Sequence, residues 1–428
     1  MRRTILPLSL VVLLYASLST PAAQPKSDPT KLPPEHVTKA WAEAGATLGW
    51  LRDDGNGVQA FTPEGEEVTS GFFTFRPDPE RKSEDVPAYA FLRKMPEAGV
   101  IAKLPDPKLP FGLVLGKSTT DALLKEVAGQ GSLRVLKVQL ASELTDDGLK
   151  PLAALQDLEK LELQYTAVKG TGLEHLNGLK KLRSVAISSM SVTDDGVAAV
   201  AKLAHLRVLS LWECLNVTDA GVVALAGLKD LQALDLRWTK LTDTGLGKLA
   251  GVKALRRLSL SKTKVTDAGL KAVAGMKEMQ ILNLEQTGVT DAGLEHLAAM
   301  SKLRELHMPG TKVSGTGLTH MAKARELWLI DLCQTPVTEE GVKVLGGMKG
   351  LRGLALMGTD MTDDLLKPLT GLTDLEVLML RKTKVTDVGL EHLGGMKSLQ
   401  HITLGQTKVT EAGVEKLQKA LPKCRLTE

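Results

Sequence analysis

From Leu133 onward the apolar positions follow a pattern that returns every 24 residues, or 25 in the first and fourth units. Each period opens on a Leu-x-x-Leu-x-Leu run: LRVLKV at 133, LEKLEL at 158, LRSVAI at 182, LRVLSL at 206, LQALDL at 231, and so on to LQHITL at 399. These runs predict short strands, because strand side chains alternate and the fourth and sixth residues then share one face. Beyond each strand, most units carry a V-T-D-x-G-L segment and apolar residues at helical spacing, as in Leu270, Val273 and Met276. The Thr reads as a helix N-cap, the Asp as a charge favoured at the positive helix end, and the Gly as room for the next layer. One such unit cannot bury both of its faces, so the units must stack.

Between strand and helix sits a recurrent small polar residue: Thr166, Cys214, Thr239, Thr263, Thr287, Thr311, Thr335, Thr359, Thr383 and Thr407. Stacked directly, these side chains are expected to be buried and to bond the loop backbone of the neighbouring layer, since buried backbone groups need partners.

The N-terminal third reads differently. Residues 1–23 combine two arginines, a short apolar run from Ile5 to about Leu18 and small residues at Ala22-Ala23, the pattern of a cleavable signal. That run is too short to span a bilayer of ~30 Å, so no stable membrane anchor is expected. A Pro-rich linker (24–34) leads into residues 35–112, which hold all six phenylalanines. This segment predicts a small α+β or capping module. Residues 35–51 read as a helix grouping Val37, Trp41, Ala44 and Leu48, 57–75 as a hairpin around Pro63-Glu64-Gly65, and 76–87 as a loop. Residues 113–132 form a degenerate first repeat, and 133–428 hold twelve repeats with a C-terminal cap.

Composition changes the picture little. With 43% apolar residues, 3% aromatics and 40 glycines in 428, the chain suits thin repeated layers. A net charge of +4 gives no reason to expect a nucleic-acid partner.

The consensus LxxLxLxx(T/C)xxVTDxGLxxLxxL resembles the leucine-rich repeat, in the cysteine-containing subtype of F-box substrate receptors, with Thr where that subtype favours Cys. The whole chain resembles the multi-copy secreted repeat proteins of some bacteria. The resemblance implies an α/β fold: a right-handed solenoid with an inner parallel sheet and outer helices.

Candidate chemistry is sparse. GLVLGKST (112–119) falls one residue short of a phosphate loop. Cys214, Cys333 and Cys424 have neither disulfide nor zinc spacing and read as structural thiols. The sequon at Asn216 falls where the repeat already needs Thr218 as a cap. The informative positions are those that vary: residues three, five and seven of each strand project from the concave sheet face. They place Trp212, Asp235 and Arg237 on adjacent strands, with Tyr165 and Trp238 beside them, a composition typical of binding hot spots. The bland alternative is that the rings only shield the sheet. Asn283, Glu285, His307 and Asp331 form a polar stripe further along. Its trio Glu285, His307 and Asp331 admits a metal or acid–base reading, although a solvated stripe is the simpler one.

These observations lead to an exported protein, secreted or periplasmic, without catalysis, metal or cofactor, that recognises a protein or glycan on the concave face. Two other readings stand beside it: an intracellular adaptor like the substrate arm of a ubiquitin ligase, and an enzyme with its chemistry in residues 35–112.

Overall fold

The computed structural model describes residues 33–53, 59–63, 86–91 and 95–427. The signal segment and most of the linker lie outside them, as do Glu64-Gly65 and residues 76–85 of the expected loop. The chain divides into two compact units, the first ending at Thr239 and the second running from Lys240 to Glu428.

The first unit opens with helix α1 (Glu35–Glu43), which buries Val37 and Trp41. Leu48 does not extend it. Gly45, at φ +93°, closes the helix, with its own amide on Ala42 O and that of Ala46 on Trp41 O. This paired closure needs a left-handed residue, which glycine adopts without a Cβ clash. The chain then extends into β1 (Thr47–Asp53). Strand β2 (Gln59–Pro63), in the first arm of the expected hairpin, pairs antiparallel with β1, from Asp53↔Gln59 to Gly49↔Pro63, with residues 54–58 as the connection; the second arm of that hairpin, up to residue 75, lies outside the described residues. Strand β3 (Val86–Phe91) takes Val86 and Pro87 out of the expected loop and pairs antiparallel with the other edge of β1.

From there every pairing is parallel. β3 pairs with β4 (Phe111–Leu115), which leads through β5 (Leu133–Gln139), β6 (Lys160–Gln164), β7 (Ser184–Ser188) and β8 (Val208–Ser210) to β9 (Ala233–Asp235). The N-terminal segment is thus a cap hydrogen-bonded to the degenerate repeat. Its aromatic core closes the stack: Trp41 lies 4.6 Å from Tyr89 in a stacked pair and 5.9 Å from Phe111 edge-on, and its Nε1 donates to Pro105 O at 3.0 Å. The GLVLGKST segment is built into the same sheet. Gly112 lies where a Cβ would run into Leu51 Cδ1, and Thr119 Oγ1 donates to Gly116 O at 2.7 Å, so the loop closes on itself.

The second unit is a run of parallel strands, β10 (Arg257–Ser259), β11 (Ile281–Asn283), β12 (Glu305–His307), β13 (Leu329–Asp331), β14 (Gly353–Ala355), β15 (Val377–Met379), β16 (His401–Thr403) and β17 (Arg425–Thr427). Pairing holds Arg257 against Ile281, Ile281 against Glu305 and onward without slip, the register the Leu pattern dictates. In both units short α or 3-10 segments return the chain, and the Leu side chains of strand positions four and six are buried against them. Met276 belongs to the turn after the helix Asp267–Val273 rather than to the helix, yet is fully buried.

The TDxG segment joins neighbouring repeats. In the last joint, Asp387 accepts the amide of Thr410 at 2.8 Å and its hydroxyl at 2.6 Å. The same clamp links Asp194 to Thr218, Asp267 to Thr290 and Asp363 to Thr386. The hydroxyls of Thr218, Thr290 and Thr386 also accept an amide of their own helix, so each one both caps and links. A Cβ on Gly221, Gly293, Gly389 or Gly413 would overlap Oδ1 of Asp194, Asp267, Asp363 or Asp387. The glycine therefore makes room for the preceding repeat's carboxylate. Twice a backbone carbonyl replaces that carboxylate: Lys169 O takes the Thr193 amide and Ser314 O the Thr338 amide, beside Gly170 and Gly315 in left-handed conformation.

Candidate functional site

In eleven of the twelve repeats the eighth residue of the unit, just past the strand, has positive φ. Most of these residues are not glycine: Leu140, Tyr165, Glu213 and Trp238 in the first unit, Lys262, Gln286, Gln334, Lys382 and Gln406 in the second. The turn aims the eighth amide at the seventh carbonyl of the next repeat, as from Tyr165 to Ser188 O and from Gln286 to Pro309 O. No sequence signal marks it, because glycine is rare there.

The turn also sets the small polar ladder, which differs from expectation. Thr239, Thr263, Thr287, Thr311, Thr335, Thr359, Thr383 and Thr407 each donate the hydroxyl to a carbonyl three residues back in their own repeat, at 2.6–2.8 Å. These bonds are local because the left-handed residue folds the Thr back over its own strand. Bonds to the neighbouring layer occur where the slot departs from Thr: Cys214 Sγ reaches Ile187 O at 3.5 Å and Ser189 Oγ reaches Thr166 O at 2.7 Å. All three cysteines are free and buried. Burial pushes the Cys214 thiol up to about 12, Cys424 up to about 11, and Cys333 well above its ordinary value.

On the open face of the sheet, the central fifth column is closed in by its neighbours. Asp235, Asn283 and Asp331 are buried, and each turns a side-chain oxygen onto the amide two residues ahead, at 3.1, 2.9 and 3.0 Å. They therefore shape the face rather than project from it. Lys137 and Glu162 form a buried pair in the same column at 3.2 Å.

Column seven carries the aromatic and basic groups of the first unit's open face. Arg237 is pinned by Asp235 in a two-pronged pair, Nε at 2.9 and 3.0 Å and a terminal nitrogen at 2.6 Å. Its guanidinium carbon lies 5.6 Å from the centre of the Trp212 ring, and Tyr165 meets that ring edge-on at 6.5 Å. The Tyr165 hydroxyl donates to Glu213 at 2.9 Å, a partner two repeats away that the column alignment missed. Burial and the neighbouring Glu213 carboxylate raise the Tyr165 pKa. Trp238 lies in the exit turn, 41% exposed.

In the second unit the expected trio separates. His307 Nε2 lies 3.2 Å from Glu305 and its Nδ1 3.9 Å from Asp331, whereas Glu285 accepts from Ser261 at 3.1 Å and faces Lys262 at 3.8 Å. Glu305, in column three, is the partner that the reading of columns five and seven overlooked. Burial alone would lower the His307 pKa, but Asp331 and Glu305 outweigh it and raise the value to about 9. The imidazole is then cationic at neutral pH and has no free pair to act as a base. Among the described residues no group of three or more His, Cys, Asp or Glu is placed to hold a metal, and no helix is long and apolar enough to cross a membrane.

Comparison with known proteins agrees with this architecture. The family model described as Leucine Rich repeat matches residues 228–250 and 254–274. No curated protein matches the sequence. An internalin from Listeria monocytogenes is similar in structure, with a TM-score of 0.58 at 18% identity, covering 75% of this chain and 87% of that one. A leucine-rich-repeat protein from Leptospira interrogans gives 0.53 at 17% identity, covering 79% and 93%. With its Leu-ruled parallel strands, short return helices and one-strand-per-repeat register, this chain has the leucine-rich-repeat fold, of the α/β class.

Proposed function

We propose that the chain is an exported, non-catalytic scaffold that binds a protein on the open face of its sheet, centred on Trp212 and Arg237. The observation that carries this reading is the cluster itself. Arg237 is held by Asp235, lies over Trp212, and Trp212 is braced by Tyr165. Trp, Tyr and Arg dominate the energetics of protein interfaces, and groups already fixed before contact lose little entropy on binding. Because Arg237 covers one face of the Trp212 ring, that face offers no flat platform to a sugar. This favours a protein over a glycan.

Export rests on the charged start, the short apolar run and the small residues near Ala23. N-terminal sequencing of the mature protein should find a start within a few residues of Ala23; intact Met1 recovered from the cytoplasm would overturn this part.

The binding face is tested by affinity capture from an extracellular or periplasmic extract. Trp212→Ala should cost about 2 kcal/mol or more of affinity for the captured protein and leave the thermal midpoint almost unchanged. Arg381→Ala, in the same column of the second unit, should bind as wild type. Equal affinity for Trp212→Ala and wild type would show that the ligand lies elsewhere.

A further inference from the structure

The strand exits of the first unit are unlike the rest of the surface. Among the described residues seven large apolar side chains are exposed, and five of them, Leu140, Tyr165, Met190, Leu215 and Trp238, stand at the exits of five successive repeats, 38–67% exposed. The other two, Val223 and Val388, lie on return helices. Backbone and side-chain bonds tie the exits to one another: Leu140 N to Gln164 O at 2.8 Å, Tyr165 N to Ser188 O at 2.6 Å, Asn216 Nδ2 to Met190 O at 2.7 Å and Glu213 N to Arg237 O at 3.1 Å. At ~4.8 Å per parallel strand, the five side chains form a line about 19 Å long. Leu140, Tyr165 and Trp238 hold the eighth position of their repeats, Met190 the ninth and Leu215 the tenth; in the second unit the eighth position is lysine, glutamine or glycine throughout.

The charges beside this line are mostly of one sign. Glu143, Asp147 and Asp195 are exposed in the exit loops or in the first turns that follow them, and Lys169 and Lys240 are the two lysines or arginines in residues 141–147, 166–171, 189–195, 213–219 and 239–243.

We propose that this line docks an amphipathic helix of a partner protein, with an apolar stripe and basic flanks. An α-helix rises ~5.4 Å per turn, so a helix lying along the line offers one apolar side chain to each repeat and slips only about 2.4 Å over its length. An extended strand repeats a face every ~6.8 Å and would be out of step by the third repeat. Basic flanks meet the acidic border, which also repels an anionic membrane surface and a second copy of the same acidic rim. The proposal rests on the protein-binding reading for the class of partner; the line shares Tyr165 with the sheet-face cluster but includes neither Trp212 nor Arg237.

The test uses the full chain and labelled peptides of about 18 residues, long enough for four to five helical turns. One carries Leu at i, i+3, i+4 and i+7 with Lys elsewhere; a second scrambles that sequence; a third replaces Lys by Glu. Fluorescence anisotropy should show the patterned Lys peptide binding about tenfold or more tightly than either control. The triple variant Leu140→Ser/Met190→Ser/Leu215→Ser, folded by circular dichroism, should lose about that factor, whereas Val223→Ser/Val388→Ser should keep it. Equal binding of patterned and scrambled peptides, preference for the Glu peptide, or full binding by the triple variant overturns the proposal. So does a wild-type dimer, or flotation with phosphatidylglycerol vesicles, that the triple variant abolishes. Trp212→Ala should leave peptide binding intact, so failure of the sheet-face reading would show only in the capture experiment.

Discussion

Two joints in the second unit differ in chemistry. At one, Asp291 takes the Ser314 amide and the Gly317 amide, each at 2.7 Å, and Gly317 sits where a Cβ would collide with the Asp291 backbone. At the other, Glu339 occupies the aspartate's place. Its longer side chain turns outward to Lys343 at 3.0 Å, Thr362 makes no side-chain cap bond, and the glycine's place is taken by Leu365. One added methylene is therefore matched by the loss of the glycine 26 residues later. The carboxylate and the glycine belong to one device divided between two repeats, and when one member goes the other is released.

The largest effect expected from breaking the closed joint is that of Gly317→Ala, because its Cβ meets backbone that cannot swing aside; a loss of about 3 kcal/mol should appear in the urea midpoint. A near-neutral result would show that the two layers are not in contact there.

Asp291→Ala should cost about 2 kcal/mol by leaving two amides without their charged acceptor. Burial alone would raise the Asp291 pKa, but the bonds from Gly317 and Ser314 outweigh it and hold the carboxyl below its ordinary range. Its stabilisation is therefore complete above the unfolded value of ~3.9 and is lost as pH falls through the lower folded value. Asp291→Asn should flatten that acid limb; an unchanged slope in acid titration followed by circular dichroism would contradict the clamp.

Thr311→Val sharpens the comparison from inside one repeat, since the hydroxyl bonds Met308 O at 2.8 Å in its own unit. A loss of about 1 kcal/mol is expected, against almost none for the exposed Lys312→Ala. Equal midpoints for the two would remove the hydroxyl from the account. Glu339→Ala, at the open joint, should change stability by less than about 0.5 kcal/mol, and a shift as large as that of Asp291→Ala would mean that Glu339 also clamps.

Much of this was legible beforehand. Period-two leucines fixed strand register, and aligned columns brought Trp212, Asp235 and Arg237 together. The division of TDxG between layers was not legible, because in a periodic sequence a partner two residues away and one a full repeat plus two away look the same. Only the irregular repeats separate them: Glu339 with Leu365, and Lys169-Gly170 with Gly196. Leu48 was misplaced because Gly45 ends the helix by a backbone closure that an apolar count does not register. Tyr165 and Trp238 were assigned beside the sheet, but the left-handed turn that lifts them to its rim leaves no mark when the residue is not glycine.

That turn has a consequence for how the array can change. A left-handed backbone costs roughly 1 kcal/mol for any residue with a Cβ, and the amount depends little on what lies beyond the Cβ. Leucine, tyrosine, glutamate, tryptophan, lysine and glutamine all occupy the position in this one chain. The side chain there leaves the Leu core untouched while the amide keeps its bond to the next repeat. Eleven of the twelve repeats thus offer one nearly neutral address at which surface identity can be rewritten without renegotiating the fold.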